Sequence, residues 1–432
     1  MPQLAPHHIS LWRDADFLKF WAARTTSTLG RLMSVLPLVA ILVLDARPYQ
    51  MAILGGATTA SGLAFGLIAG VWVDRTKRRP VLIVADVVRA VSISSLPIAY
   101  FMFELRIEHL YVVAFVNGSL GIFHDVAYRA YLPGLVGRSR IQEANAKVSA
   151  SESVVEQIAF SVAGFIAQLA TAIIAGVVQS VTFALSGLLV LLIRKNEPPP
   201  HRDGAEGDLK QQLASGYKFI VRHSMLMPVA VSGATLATCD GIVGTLITLF
   251  AITEIGFQPG PLGLIYAVGG ISSFFGALFA ARLTSWLGFG RSLSISLIVP
   301  GLVGFLIPLS PAHTWVAAVF FLLPQILGDG FWALHDINQL SLQQAVTPEN
   351  LRGRVSAAIH LSETAAALLG VTIAGVAAEL IGLRWALAIG FSFQLTAGLV
   401  YLNPAIRQLR TLPEEDGTIE GMAGAAAAET AL

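Results

Sequence analysis

The sequence predicts an all-α integral membrane protein with twelve transmembrane helices in two pseudo-symmetric bundles of six. Of its 432 residues, 55% are hydrophobic and only 13% are charged. Apolar segments of about 20 residues, long enough to cross about 30 Å of hydrocarbon, recur along the whole chain. Short motifs of the first half also recur in the same order in the second half. These observations argue against a soluble protein, and a net charge of +1 gives no sign of a nucleic-acid-binding domain.

The helices follow one another with short polar interruptions, and one long interruption separates the sixth from the seventh. The predicted spans are 17–44, 51–73, 80–103, 110–136, 141–168, 170–193, 227–252, 260–286, 291–310, 312–340, 353–381 and 383–403. They define an N-terminal segment (1–16), a first bundle (17–193), a linker (194–226), a second bundle (227–403) and a tail (404–432). Within the linker, 209–225 is amphipathic, so we expect a helix on the membrane surface. The Ala-rich end of the tail predicts disorder.

Lys and Arg residues are distributed unequally between the two sets of loops. The N-terminus, the loop at 75–79, the linker and the tail are rich in them, whereas the opposite loops hold only Arg47, Arg106 and Arg384. Basic loops stay in the cytoplasm, so we expect both termini there, in a multi-pass protein of the cell (inner or plasma) membrane. The N-terminus lacks the order of a cleaved signal peptide, so the first span is expected to be retained.

Two pairs of motifs relate the halves. Phe123-His124-Asp125-Val126 in span 4 matches Leu334-His335-Asp336-Ile337 in span 10. Val148-Ser149-Ala150 in span 5 matches Val355-Ser356-Ala357 in span 11. Spans therefore correspond as n and n+6, which is typical of transporters built from two repeated halves.

The turn between spans 2 and 3 carries the most specific motif. Gly70-x-x-x-Asp74-Arg75-x-x-Arg78-Arg79 resembles the signature loop of the major facilitator superfamily of secondary transporters. The stretches 131–146 and 341–355 are similar to the corresponding regions of bacterial efflux permeases of the enterobactin-exporter and macrolide-efflux type. The resemblance implies the major facilitator fold and transport by alternating access.

The resemblance also assigns roles to the turn. Gly70 would allow close helix packing, and Asp74 would lie near the start of span 11, where the helix dipole favours an anion. Together with Arg75, Arg78 and Arg79, Asp74 would form a latch that holds the cytoplasmic side closed. Lys77 stands where the family usually has Gly. The alternative is that the basic turn only sets the topology.

Acidic residues inside the spans are candidates for substrate or proton binding, because an unpaired charge at mid-bilayer costs about 3 kcal/mol. Asp240 lies near the middle of span 7, and Glu152 and Glu156 share one face of span 5. Glu363 in span 11 corresponds to Glu156 through the repeat. Each acid either serves a site or proton pathway, or belongs to a structural pair.

Basic and histidine residues inside the spans give further alternatives. Arg31 either pairs with Glu156 or lies alone in a wet cavity and receives an anionic substrate. Arg24 is expected to extend its charge to the cytoplasmic interface. Asp86 and Arg89 are three residues apart and are expected to pair. The remaining candidates are the two His-Asp pairs, of which His335 and Asp336 are placed with the proton or substrate sites because histidine titrates near neutral pH.

We therefore expect a proton-coupled exporter, an antiporter, for a small amphipathic compound such as a drug, a siderophore or a secondary metabolite. Span 5 lacks the Gly-Pro motif that superfamily antiporters commonly carry, which makes transport the firmer expectation. The alternatives are uptake or lipid flipping on the same scaffold, or a non-transporting sensor. We expect no enzyme activity, cofactor, metal or nucleic-acid partner, and a monomer that uses protons in the lipid bilayer.

Overall fold

Helices form all the regular structure in the described part of the chain. The structure is a computed structural model, and it describes residues 10–195, 197 and 209–413. The α-helices are α1 (Ala15–Leu32), α2 (Val35–Leu42), α3 (Pro48–Asp74), α4 (Arg78–Met102), α5 (Ile107–Val136), α6 (Ile141–Leu169), α7 (Ala172–Leu191), α8 (Leu209–Arg222), α9 (Leu226–Thr253), α10 (Pro259–Leu287), α11 (Phe289–Gly304), α12 (Leu306–Leu309), α13 (Trp315–Leu323), α14 (Asp329–Ala345), α15 (Glu349–Ile381), α16 (Leu383–Val400) and α17 (Pro404–Arg407). The predicted tail beyond residue 413 and the proline- and acid-rich part of the linker lie outside the described residues.

The helices agree with the predicted spans. Among the described residues, ten helical segments are long and apolar enough to cross a membrane, and an eleventh is α3, which bends by 52° between Gly66 and Ile68. The predicted span 141–168 forms α6, but its first sixteen residues carry four charged side chains, so its composition alone does not mark it as a span. This helix supplies part of the site described below.

The chain divides into two compact units. Unit 1 comprises residues 1–205 and 251–267, and unit 2 comprises residues 206–250 and 268–432. In unit 1, α4 packs against α5 and α7, and α1 packs against α6 and α7. In unit 2, α11 packs against α14 and α16, and α15 packs against α8 and α16.

Three spans are interrupted, and each interruption frees backbone groups from regular helical bonding. The first span breaks at Ser34, which has a left-handed φ of 48°. Gln179 of α7 donates from Nε2 to the carbonyl of Gly30 at 2.7 Å, so a side chain satisfies a group near this break. The second interruption is at Phe305, between α11 and α12. The third is a π-helical turn, Pro324–Gly328, which joins α13 to α14. Such turns are frequent at functional sites.

The amphipathic linker segment forms α8 and packs on α15. The hydroxyl groups of Tyr217 and Ser362 lie 2.9 Å apart, and Ile220 is buried among Val355, Ala358 and Ile359. The apolar face of α8 is therefore covered by protein over this stretch. Its position at the membrane surface stays a prediction.

Candidate functional site

A network of charged side chains lies inside unit 1, and Arg24 of α1 is at one end of it. Its Nε atom is 2.5 Å from Glu152 Oε1, and its Nη1 atom is 2.5 Å from Asp125 Oδ1. The guanidinium also stacks on the ring of Tyr128, 4.3 Å from the centroid. The expectation that Arg24 extends to the interface was wrong, because two carboxylates from α5 and α6 hold its charge inside the bundle.

Asp86 lies at the other end of this network and is completely buried. The hydroxyl groups of Ser27 and Ser186 donate to its carboxylate at 3.0 and 2.5 Å. Arg89 Nη1 lies 3.5 Å from Asp86 Oδ1, which confirms the predicted pair. The Arg89 guanidinium also lies over the ring of Phe183, 3.9 Å from the centroid.

His124 of α5 joins the two ends. Its Nε2 atom lies 3.4 Å from Asp86 Oδ2, and its Nδ1 atom lies 3.8 Å from Asp125 Oδ1. The series Glu152, Arg24, Asp125, His124, Asp86 and Arg89 is therefore continuous across α6, α1, α5 and α4. Each acid in the series contacts a basic group, so unit 1 compensates these charges internally.

Two other candidates of unit 1, Arg31 and Glu156, do not join this network. Both side chains are exposed, and the ion pairs of the described residues include none between them. Arg31 lies on the last turn of α1, beside the break at Ser34. Interrupted helices of this kind form binding sites in transporters, so this position remains a candidate.

The basic turn is held by a residue of the linker that sequence reasoning missed. The backbone N–H groups of Arg78 and Arg79 donate to the two carboxylate oxygens of Glu197 at 2.7 and 3.0 Å. Arg79 also donates from its guanidinium to the carbonyls of Val190 and Leu191 at the end of α7. Glu197 therefore caps the N-terminus of α4, while Arg79 caps the C-terminus of α7, and both charges suit the helix dipoles.

The other residues of the turn have fewer contacts. Asp74 and Arg75 are exposed at the end of α3, and a Cβ added to Gly70 would meet no atom within 4 Å. Lys77 has an extended backbone with φ −69° and ψ 129°, so the turn does not require Gly there. The predicted latch between Asp74 and the start of span 11 stays a prediction.

Unit 2 differs, because three acids inside its helices have no basic partner among the described residues. Asp240 of α9 and Asp336 of α14 are exposed, and Glu363 of α15 is partly buried. Glu363 interacts electrostatically with both Asp240 and Asp336, so the three form one acidic set. None of them takes part in an ion pair of the described residues.

His335 shows the same difference between the two units. It is buried like its counterpart His124, but its Nε2 atom has no hydrogen-bond partner among the described residues. Its ring lies 5.7 Å from that of Tyr401, whose hydroxyl also lacks a partner there. The repeat conserves the place of the histidine and not its electrostatic surroundings.

Asp329, which sequence reasoning missed, is a further acid of unit 2. It begins α14 directly after the π-helical turn. Its Oδ2 atom and the Oε1 atom of Gln325 both occupy the space that a Cβ of residue 269 would fill, so both side chains would have to move if Gly269 were replaced. Ser273 donates to the carbonyl of Asp329 at 3.1 Å. The available signal was an intramembrane acid between two glycines, Gly328 and Gly330, shortly after Pro324.

The described residues contain no group of three or more His, Cys, Asp or Glu side chains placed to hold a metal ion. Cys239, next to Asp240, is buried and free. The carboxylates and imidazoles described above are groups that can bind protons, cations and polar groups.

Comparisons with known proteins identify the family and support the fold. The family model of the Major Facilitator Superfamily matches residues 20–371. The chain is 24% identical over 356 residues to the enterobactin exporter EntS of Salmonella typhimurium, covering 79% of this chain and 82% of that protein. It is 24% identical over 417 residues to macrolide efflux protein A of Streptococcus pyogenes, covering 92% and 97%. The solved structure of the nucleoside transporter NupG superimposes with a TM-score of 0.74 at 12% identity, covering 91% of this chain and 99% of that one.

Proposed function

Because the chain belongs to the Major Facilitator Superfamily, we propose that this multi-pass membrane transporter exports a small amphipathic compound in exchange for protons. Members of this superfamily transport their substrates by alternating access, and the chain's relatives include efflux proteins. The coupling ion, the direction and the substrate class are the parts proposed here.

The difference between the two units carries the proposal. In unit 1, the acids Asp86, Asp125 and Glu152 each contact an arginine. In unit 2, Asp240, Asp336 and Glu363 form an acidic set without an ion pair in the described residues. Within one fold, the chain thus neutralises one set of intramembrane acids and leaves the other available.

An uncompensated carboxylate inside the membrane costs about 3 kcal/mol on insertion scales, and like charges nearby raise the cost. A bound proton removes the negative charge, and so does a cationic group of a substrate. A set of neighbouring acids can therefore exchange one for the other, which is the physical basis of antiport. We place the exchange on Asp240 and Glu363, with Asp336 and His335 as neighbouring proton-binding groups.

The direction of transport rests on two arguments. EntS and macrolide efflux protein A are by name an exporter and an efflux protein, and both match most of this chain. The excess of Lys and Arg in the loop at 75–79 and in the linker supports cytoplasmic termini in the inner membrane. In an antiporter of that membrane, protons that enter down their gradient drive efflux.

The test is transport into inverted membrane vesicles, whose interior is acidified by respiration. Ethidium, radiolabelled erythromycin and enterobactin serve as probes. We expect gradient-dependent uptake of at least one probe, loss of that uptake with a protonophore, and at least about tenfold slower uptake in Asp240→Asn. Asp45→Asn is the matched control, because Asp45 lies exposed in a loop and Asn tolerates its left-handed φ of 47°.

A rate of probe uptake that the protonophore does not reduce would refute proton coupling. Undiminished uptake in Asp240→Asn would refute the placement of the exchange at this residue. Accumulation of the same probe by intact cells, rather than by inverted vesicles, would assign uptake to the protein and overturn the proposed direction.

A further inference from the structure

A cavity of about 590 Å³ lies in unit 2, where α10 ends, α11 begins and the chain leaves α16. Its volume falls in the range of about 300–1,000 Å³ that is usual for sites of small ligands. Three arginines line it, Arg291, Arg407 and Arg410, together with Trp286 and Leu402. It does not include the acidic set of the proposed transport site.

The walls of the cavity are fixed by backbone contacts. Phe289 and Gly290, at the start of α11, donate their N–H groups to the carbonyls of Arg410 and Leu409 at 3.2 and 2.9 Å. The carbonyl of Ile406 occupies the space that a Cβ of residue 290 would need, so Gly290 allows this segment to pack closely. The segment that carries Arg407 and Arg410 is therefore attached to the start of the helix that carries Arg291.

The three arginines have no acidic neighbour in the described lining of the cavity. All three are exposed, and none of them takes part in an ion pair of the described residues. Three guanidinium groups around one cavity repel one another unless an anion lies between them. Guanidinium groups bind phosphate through two parallel hydrogen bonds, which makes phosphate the anion that this chemistry fits best.

The residues around the cavity are typical of the depth of lipid headgroups. Trp286 is 81% exposed near the end of the apolar helix α10, and Leu402 is exposed just beyond the end of α16. Exposed tryptophan at the end of a transmembrane helix is typical of the membrane–water interface. Basic pockets between such helix ends, on the cytoplasmic side, are suited to anionic headgroups.

We propose that this cavity binds the phosphate headgroup of an anionic phospholipid, with Arg291, Arg407 and Arg410 around the phosphate and the lipid's apolar part against Trp286 and Leu402. The inference goes beyond the proposed transport function. It holds whichever compound the protein carries.

The test uses the full-length protein in detergent, equilibrated with phosphatidylglycerol or phosphatidylcholine and examined by native mass spectrometry. We expect one retained phosphatidylglycerol per chain and no retained phosphatidylcholine. The variant Arg291→Gln/Arg407→Gln/Arg410→Gln should bind phosphatidylglycerol roughly a hundredfold more weakly, since each basic residue near a membrane surface contributes roughly a fivefold factor. Arg410→Gln alone should weaken binding roughly fivefold, and it serves if the triple variant does not fold.

The matched control is Arg222→Gln/Arg282→Gln/Arg354→Gln, which removes three exposed arginines of the same unit that do not line the cavity. It should retain phosphatidylglycerol as the unmodified chain does. Equal retention of both lipids, or equal loss in both triple variants, would overturn the proposal.

Two further results would assign the cavity to a different anion. Displacement of phosphatidylglycerol by equimolar inorganic phosphate would show a site for the free ion. The other result concerns a variant in which Glu414, Glu415 and Asp416 are replaced by their amides. If only this variant retains lipid, the chain's own acidic segment occupies the cavity.

Discussion

His124 Nε2 lies 3.4 Å from Asp86 Oδ2, deep inside unit 1. His335, the counterpart of His124 in the repeat, has no partner for the same atom in the described residues. In unit 1, Arg24 and Arg89 form ion pairs with three acids, whereas Asp240, Asp336 and Glu363 of unit 2 take part in no ion pair of the described residues. The predictions below test both parts of this contrast.

We expect Asp86→Ala to destabilise the protein by about 3–5 kcal/mol, because it leaves Arg89 buried without its partner. Arg89→Leu should also destabilise, and the double variant should recover part of the loss, since no unpaired charge remains. Thermal unfolding in detergent measures all three variants. Additive losses in the double variant would show that the two side chains act independently.

We expect Glu197→Ala to loosen the first turn of α4. Its carboxylate is 7% exposed and accepts from two backbone amides, and loss of a helix cap typically costs about 1 kcal/mol. Amide hydrogen exchange at residues 78–82 should become faster. Glu349→Ala is the control, because Glu349 is 89% exposed in a first helical turn. Unchanged exchange at 78–82 in Glu197→Ala would contradict the capping role.

Gly241→Ala should reduce both stability and transport, because a Cβ there would overlap the carbonyl of Ala367 and lie 2.9 Å from the Val371 nitrogen. To relieve this overlap, α9 would have to move away from α15. Asp240, on α9, would then move away from Glu363, on α15. Gly244→Ala is the matched control on the same helix, since a Cβ at that position meets nothing within 4 Å. Thermal unfolding and vesicle transport should separate the two variants, and equal behaviour would contradict the close packing.

The junction between α8 and α9 should loosen as the pH falls below about 6.5. The N–H groups of Met225 and Leu226 point at His223 Nδ1 from 3.3 and 3.4 Å, and burial lowers the pKa of His223 from its ordinary value of 6.5. A histidine with a lowered pKa in the folded state contributes stability above that ordinary value, and the contribution is lost as the pH falls through the folded-state pKa. Amide exchange at 225–226, corrected for its intrinsic pH dependence, should therefore increase between pH 7.5 and 5.5.

His223→Asn provides the control for this pH effect. Asn keeps a neutral acceptor near the start of a helix and does not titrate. Exchange at 225–226 in this variant should be independent of pH after correction. The same pH response in both proteins would show that another group is responsible.

Much of the fold followed from composition and repetition. Hydrophobic length predicted the spans, and a spacing of three residues on a helix predicted the contact between Asp86 and Arg89. The family resemblance, carried by the turn at 70–79, was confirmed by the family comparison. Local pattern is sufficient for these features because each depends on residues close together in the sequence.

The partners of Arg24 and the role of Glu197 could not be predicted in this way. Arg24 meets Asp125 and Glu152 only because α1, α5 and α6 converge, and Glu197 lies 119 residues from Arg78 in the chain. Asp329 was missed because it directly follows a π-helical turn, and the hydrophobic periodicity of a sequence does not predict such a turn. Side chains whose role depends on tertiary packing require the structure.

Proton movement in reconstituted liposomes tests the central claim most directly. Liposomes that contain a pH-sensitive dye receive the probe that the vesicle assay identifies, and the dye reports protons that move with it. We predict probe-dependent proton movement for the unmodified chain. Asp240→Asn/Glu363→Gln should show no proton movement, while exchange of labelled for unlabelled probe continues. Proton movement that persists in this double variant would contradict the assignment of coupling to the acids of unit 2.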